Sequence, residues 1–239
     1  MDQRSFEEAV RSSWAVRESQ AAKKLLSGRA DTGGRGAVTG GAHLDAMTEL
    51  LARAFRDAGF PPDSVRCKSG IELPGYFRPT KKWDLVVFHE GELVAAIELK
   101  SHVGPSFGNN FNNRAEEAIG TAVDLRQAYD HGLLGRLRPW LGYLLLLEEA
   151  PSSLRKGKPR SGGFPIDPAF ADTSYLDRYV ILCQRLRNAG LYDATCLITS
   201  AREADAPIRQ PDPEIGFATF HGAIMARLEE IGVLPPRRN

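Results

Sequence analysis

The run Trp140-Leu141-Gly142-Tyr143-Leu144-Leu145-Leu146-Leu147 limits the possible folds more than any other part of this chain. It is almost entirely apolar, so both of its faces have to be covered. It is also far too short to span a bilayer, and Gly142 interrupts it. A strand in the middle of a sheet, with helices packed above and below, satisfies both conditions. Apolar residues recur at helical spacing in five places that can supply those helices. These are residues 5–26 (Phe6, Ala9, Val10, Trp14, Ala21, Leu25, Leu26), 44–58 with Gly59 as the stop, 114–129 (Ala118, Ile119, Ala122, Leu125, Ala128), 174–188 before Gly190, and 216–231.

Other strands are marked less strongly. Residues 65–76 are extended but mixed in pattern and broken by Pro74, and Ala194–Thr199 reads as a further strand. Trp83–Phe88 and Leu93–Lys100 are β-rich runs joined by a short glycine-containing turn at His89–Glu92, the signature of a hairpin. Glycine-rich residues 28–41 and the Pro/Ser/Gly/Lys/Arg-rich residues 151–168 read as loops. The expected fold class is α/β, a mixed central β-sheet flanked by helices with an N-terminal helical extension. One domain over residues 1–239 is expected: residues 1–42 an N-terminal helix and loop, 43–200 the core, and 201–239 a C-terminal loop and helix.

Composition rules out several classes. A hydrophobic fraction of 42% and a charged fraction of 26% are those of an ordinary globular chain, and a net charge of +1 is silent about partners. Cys67, Cys183 and Cys196 have no zinc-ligand or disulfide spacing, so reduced thiols and a cytoplasmic location are expected. No secretion signal or membrane span is legible. The glycine stretch lacks the Gly-Lys-Ser/Thr ending of a phosphate loop, against an NTPase.

Chemistry concentrates around the hairpin. Glu98 and Lys100 are two apart in a strand, so both side chains leave the same face while Ile97 and Leu99 point to the other. Asp84 opens the partner strand and can return beside Glu98. Two carboxylates can hold a hard divalent cation, with the Leu99 carbonyl as a further oxygen ligand. A lysine beside them can orient an attacking water and stabilise charge on a phosphate in transition. The ordinary alternative is a hairpin that happens to carry Glu and Lys on its outer face.

Trp83-Asp84 followed by Glu98-Leu99-Lys100 resembles the PD-(D/E)xK nuclease superfamily, with Trp83 where a proline is usual. The runs Arg35–Gly41 and Glu98–Glu117 are similar to the XhoI family of Type II restriction endonucleases, and this resemblance covers most of the chain. It implies a restriction-endonuclease-like core and Mg²⁺-dependent cutting of double-stranded DNA at a palindrome, commonly CTCGAG, leaving 5′ overhangs. It also implies a homodimer, and a cognate DNA methyltransferase as system partner without direct contact. Glu49, on the helix before the core strands, is by the same resemblance a candidate further metal ligand; a solvated glutamate is the plain alternative.

The candidate DNA contacts are His102, Asn109, Asn110, Asn112 and Asn113 after the catalytic strand, and Arg155, Lys156, Lys158 and Arg160 in the polar loop. Asn112 or Asn113 can equally cap a helix starting near Arg114, where Glu116 and Glu117 would complement its dipole. Arg78, Lys81 and Lys82, and Arg237 and Arg238 at the tail, are further phosphate-binding candidates. A structure-specific repair or recombination nuclease, and a catalytically inactive DNA-binding protein, are the competing functions. Intact Asp84, Glu98 and Lys100 speak against the inactive protein.

Overall fold

The computed structural model describes residues 2–26 and 41–233. The glycine-rich stretch between these segments, the tail arginines Arg237 and Arg238, and the side chains of Leu25 and Leu26 lie outside the described residues. Helix α1 (Gln3–Leu26) is followed by α2 (Asp45–Asp57), and then by the short strands β1 (Val65–Arg66), β2 (Glu72–Pro74) and β3 (Thr80–Lys82). Strands β4 (Leu85–His89) and β5 (Glu92–His102) come next, with α3 (Phe107–Asp130) and β6 (Trp140–Glu148) after them. The single turn α4 (Pro151–Leu154), helix α5 (Tyr175–Asn188), strand β7 (Ala194–Ser200) and helix α6 (Phe217–Glu230) complete the described chain.

Five strands form the main sheet in the order β1-β4-β5-β6-β7. The β1–β4 and β4–β5 pairs are antiparallel, whereas β5–β6 and β6–β7 are parallel. The mixed sheet expected from sequence is what forms, and every residue of β6 is buried. Trp140, Leu144 and Leu146 enter a core with Phe6, Val10, Trp14, Met47, Leu51, Phe55, Phe220 and Ile224, from α1, α2 and α6. Leu141, Tyr143, Leu145 and Leu147 enter a second core with Ala118, Ala122, Leu125, Tyr179, Leu182 and Leu186, from α3 and α5. Two cores, one on each face, explain why the strand shows no alternation. Each buried leucine contributes about 1.5–3 kcal/mol.

Local chemistry sets the element ends. Ser174 caps α5 by accepting from Asp177 N at 3.1 Å, and the Asp177 carboxylate accepts back from Ser174 N at 2.8 Å, a reciprocal cap. Gly59 stands just past α2 at φ 100°, a conformation that favours glycine.

Three helix expectations need correction. Ala21 is exposed: among the described side chains, the buried apolar residues of α1 run from Phe6 to Trp14. Ile119 is 44% exposed, because α3 turns Ala118, Ala122 and Leu125 to the sheet instead. Helix α3 also begins at Phe107, not near Arg114. Burial of Phe107 beside the His102 ring (centroids 4.8 Å apart) anchors this earlier start, which tertiary packing favours over the weak helix propensity of asparagine. Glu116 and Glu117 therefore lie well inside α3, where Glu117 pairs with Arg114.

Within α3, Gly120 has open space where a Cβ would be built. Gly120→Ala is expected to stabilise the protein by about 0.5–1 kcal/mol, read as a higher midpoint in urea with an unchanged slope.

Candidate active site

Strand directions gather the candidate residues at one edge of the sheet. Because β4 is antiparallel to β5, it begins where β5 ends, and β3 delivers the chain to that point through Trp83 and Asp84. Strands β6 and β7 run parallel to β5, so the Asn109–Asn113 turns of α3 and the basic loop after β6 start from the same edge. Ligands in open α/β sheets lie at the carboxyl ends of parallel strands.

Whether Asp84 faces Glu98 depends on one residue of register. The turn residues Glu90 and Gly91 both have positive φ, 50° and 81°, the geometry of a two-residue hairpin loop. Pairing begins as His89↔Glu92 and Phe88↔Leu93, but a bulge on β5 then inserts one residue, so that Val87 pairs with Ala95 and Leu85 with Ile97. One further step sets Asp84 opposite Glu98 and on the same face. Without the bulge, Asp84 would stand opposite Ile97 and point into the other core.

The contacts agree with that register. Leu99 N donates to Asp84 Oδ2 at 2.7 Å. Since N–H and C=O of one strand residue leave toward the same neighbour, the Leu99 carbonyl also points to the Asp84 edge. Glu98 lies on the α3/α5 face with its side chain 5% exposed, and Lys100 Nζ pairs with its Oε1. The other oxygen, Oε2, accepts from Lys81 Nζ at 2.6 Å. Charge alone groups Lys81 with Arg78 and Lys82; no periodicity in the sequence marks it as a partner of Glu98.

Electrostatics separates the four groups. Burial and the Glu98 charge push the Asp84 carboxyl above the usual aspartate range. Burial alone would raise Glu98 too, but Lys100 and Lys81 outweigh it and hold the carboxyl low. Burial works against the Lys100 ammonium, yet Glu98 and Asp84 raise its pKa on balance. For Lys81 burial prevails, and its pKa falls. A buried glutamate flanked by two lysines is a costly arrangement for a fold to maintain, and such clusters concentrate at functional sites. Asp84, Glu98 and the Leu99 carbonyl are a hard all-oxygen donor set suited to a divalent cation, and the two ammonium groups on Glu98 show that this carboxylate attracts cations.

Other candidates are placed elsewhere. Glu49 is exposed on α2, pairs with Arg56 and lines a hollow with Asp45, Thr48, Cys67 and Lys68. The helix turns it outward so that Met47, Leu50 and Leu51 can reach the core. Among the described residues no group of three or more His, Cys, Asp and Glu side chains gathers to hold an ion.

His102 does face the same way as Lys100, but it is 2% exposed, bonded through Nδ1 to the Tyr179 hydroxyl and packed on Phe107. Burial, with the nearby Arg114 charge, pushes its pKa down to about 4, so the ring is neutral and shielded. Asn109, Asn112 and Asn113 are exposed and Asn110 half-buried, all in the first turns of α3; Ser106 holds the cap position. The expectation of an asparagine loop or cap gives way to a helix surface.

Arg155, Lys156, Lys158 and Arg160 are exposed in a loop pinned by α4 and by a bridge from Gly157 to Thr173. On the opposite face of β5, Ser101 meets His43 Nε2 at 2.7 Å and also Arg17, tying α1 and the turn ahead of α2 to the back of β5.

Comparison with known proteins points to one family. The family model described as Restriction endonuclease XhoI matches residues 23–210. The chain is 50% identical over 161 residues to the Type II restriction enzyme XhoI of Xanthomonas vasicola, covering 66% of this chain and 65% of that protein. To the Type II restriction enzyme BstVI of Geobacillus stearothermophilus it is 42% identical over 186 residues, covering 75% and 83%. To the Type II restriction enzyme AbrI of Azospirillum brasilense it is 44% identical over 164 residues, covering 68% and 73%. The match thus spans just under two thirds of the XhoI enzyme and more of the other two. No solved structure matches the chain.

Proposed function

The chain belongs to the XhoI restriction endonuclease family, and we propose that it is a Type II restriction endonuclease that hydrolyses double-stranded DNA at a short palindrome in the presence of Mg²⁺. The observation that carries this is the juxtaposition of Asp84, Glu98 and Lys100 at the open edge of the sheet. CTCGAG with 5′ overhangs is the expected site and product, and a symmetric dimer would present one active site to each strand. A methyltransferase protecting the host site would act without touching this chain. No helix among the described residues is long and apolar enough to cross a membrane.

In this reading Asp84 and Glu98 would hold the cation, with the Leu99 carbonyl on the same edge. The bound cation supplies Lewis-acid stabilisation of phosphate charge and an acidified water. Lys100 orients the attacking water and stabilises negative charge as it builds on the phosphate oxygens. The buried surroundings exclude bulk water and strengthen each of these interactions. Asn109, Asn110, Asn112 and Asn113, on the first turns of α3 beside the site, are the candidate base or phosphate contacts.

Plasmid and genomic DNA incubated with the protein and Mg²⁺, with EDTA as control, test the proposal through sequencing of the ends. Discrete fragments sharing one palindromic end are expected. Smears or structure-dependent nicks would instead identify a repair-type nuclease, and binding without cutting an inactive DNA-binding protein.

The exposed basic loop makes a separate prediction. Replacing Arg155, Lys156, Lys158 and Arg160 together with glutamine should weaken binding to every duplex and flatten its salt dependence. The slope of log K against log salt should fall by about 0.9 for each phosphate that the variant no longer neutralises, read by anisotropy titrations. An unchanged slope would remove the loop from the DNA interface.

A further inference from the structure

Lys81 reaches Glu98 from a different element, the β2–β3 hairpin. Its Nζ donates to Glu98 Oε2 at 2.6 Å and to the Lys82 carbonyl at 2.9 Å, and it lies 4.5 Å from the centre of the Trp83 ring. The side chain is only 13% exposed. With Lys100 on Oε1, both carboxylate oxygens of Glu98 carry an ammonium group.

The β2–β3 hairpin that delivers Lys81 is stapled at its tip. Asp124 of α3 accepts from Tyr76 N at 2.9 Å, Phe77 N at 2.8 Å and Arg78 Nε at 2.6 Å. Gly75 packs so tightly that a Cβ there would lie 2.6 Å from the Asp124 carboxylate.

We propose that Lys81 is a placeholder cation, holding the Glu98 oxygen that a divalent cation takes, yielding it when the ion binds, and then contacting the DNA phosphate. The inference rests on the endonuclease reading above. Lys100 compensates only Oε1 of this buried carboxylate, and Lys81 supplies the cation at Oε2. A divalent ion on Oε2 would repel the ammonium that lies 2.6 Å from that oxygen, and this repulsion drives one lysine away. Lys100 is tied to Glu98 through the same strand and also interacts with Asp84, whereas Lys81 comes from a separate hairpin. After release, the Trp83 ring beside the ammonium and the Asp124 staple on its hairpin keep it inside the site, where it faces an anionic substrate.

The test is Lys81→Met, which keeps an unbranched apolar side chain of nearly the same reach but removes the ammonium and its contact with the Trp83 ring. Mn²⁺ binding to the protein without DNA, followed by calorimetry, is expected to tighten about three- to tenfold as a like charge leaves the ligand. Single-turnover cleavage at saturating Mg²⁺ is expected to slow about 10²-fold because the phosphate is no longer held by Lys81. Unchanged or weaker Mn²⁺ binding at an unchanged melting temperature overturns the placeholder role, and parental cleavage overturns the phosphate contact. Should Lys81→Met fail to fold, Asp124→Ala frees the hairpin with Lys81 intact and is expected to tighten Mn²⁺ binding in the same sense; no tightening there overturns the proposal. A parent protein that neither binds Mn²⁺ nor cuts DNA defeats the endonuclease reading itself, a different result from a Lys81 variant that matches an active parent.

Discussion

Alanine at Glu98 or at Lys100 is expected to slow cleavage by about 10³-fold or more, a loss near 4 kcal/mol of transition-state stabilisation. The two variants should differ in what they retain. Lys100→Ala leaves Glu98 paired with Lys81, so the fold and the carboxylate ligands survive; Mn²⁺ should still bind while cutting stops. Glu98→Ala removes a ligand and leaves two lysines without their shared counter-charge. Breaking a buried pair costs about 3–5 kcal/mol. The Lys81 and Lys100 side chains are 13% and 24% exposed and can turn toward water, so the stability loss should fall below that range. Asp84→Ala should resemble Glu98→Ala in both cleavage and metal binding. All three variants are expected to shift a duplex carrying the palindrome in Ca²⁺, checked by gel mobility beside a Mg²⁺ cleavage assay. Full activity in any one of them would show that the site is misassigned.

Gly142→Val is expected to destabilise the protein by about 3 kcal/mol or more, at the upper end of overpacking costs. A Cβ at this position would lie 2.7 Å from Trp140 Cζ3 and 2.8 Å from Phe220 Cζ, and valine adds two methyl groups beyond it. Neither ring has room to retreat. Phe220 is fully buried between the sheet and α6, and Trp140 packs edge-on against it with centroids 5.7 Å apart. A melting temperature several degrees lower, or insoluble expression, is the expected result; a parental melting curve would mean that the rings can repack. Gly120→Ala is the matching case with the opposite sign, since α3 offers its new methyl open space.

The helices and strands are largely legible in the sequence because their signals are local. Apolar spacing locates α2, α5 and α6 to within a residue or two, and the uninterrupted apolar run identifies β6 as a strand covered on both faces. Local signals fail where a distant contact decides. The asparagines read as a loop because isolated asparagine favours turns, yet Phe107 docking on His102 starts the helix ahead of them. Position along the chain points Glu49 and His102 toward the site. The outward turn of α2 and the hydroxyl of Tyr179 on α5 give them other surroundings. Nothing in the sequence indicates that Asp124 staples the turn at 75–78, for that bond joins segments far apart in the chain.

For the candidate site, the placing of Glu98 and Lys100 on one face of a strand can be read from their spacing, because side-chain alternation is a property of any extended backbone. The sequence also determined that the strand beside them lies in the interior, since five leucines of β6 have no other place to be buried. That Asp84 joins them depends on the strand register, which spacing alone leaves open. A regular hairpin with the same turn would have sent its carboxylate into the opposite core, and the single extra residue of the bulge on β5 brings it back. The tertiary structure likewise decided that Lys81, one basic residue among several, is the one that reaches Glu98. Alternation acts between neighbours in the chain, whereas register and hairpin placement are settled by packing against α3 and the sheet.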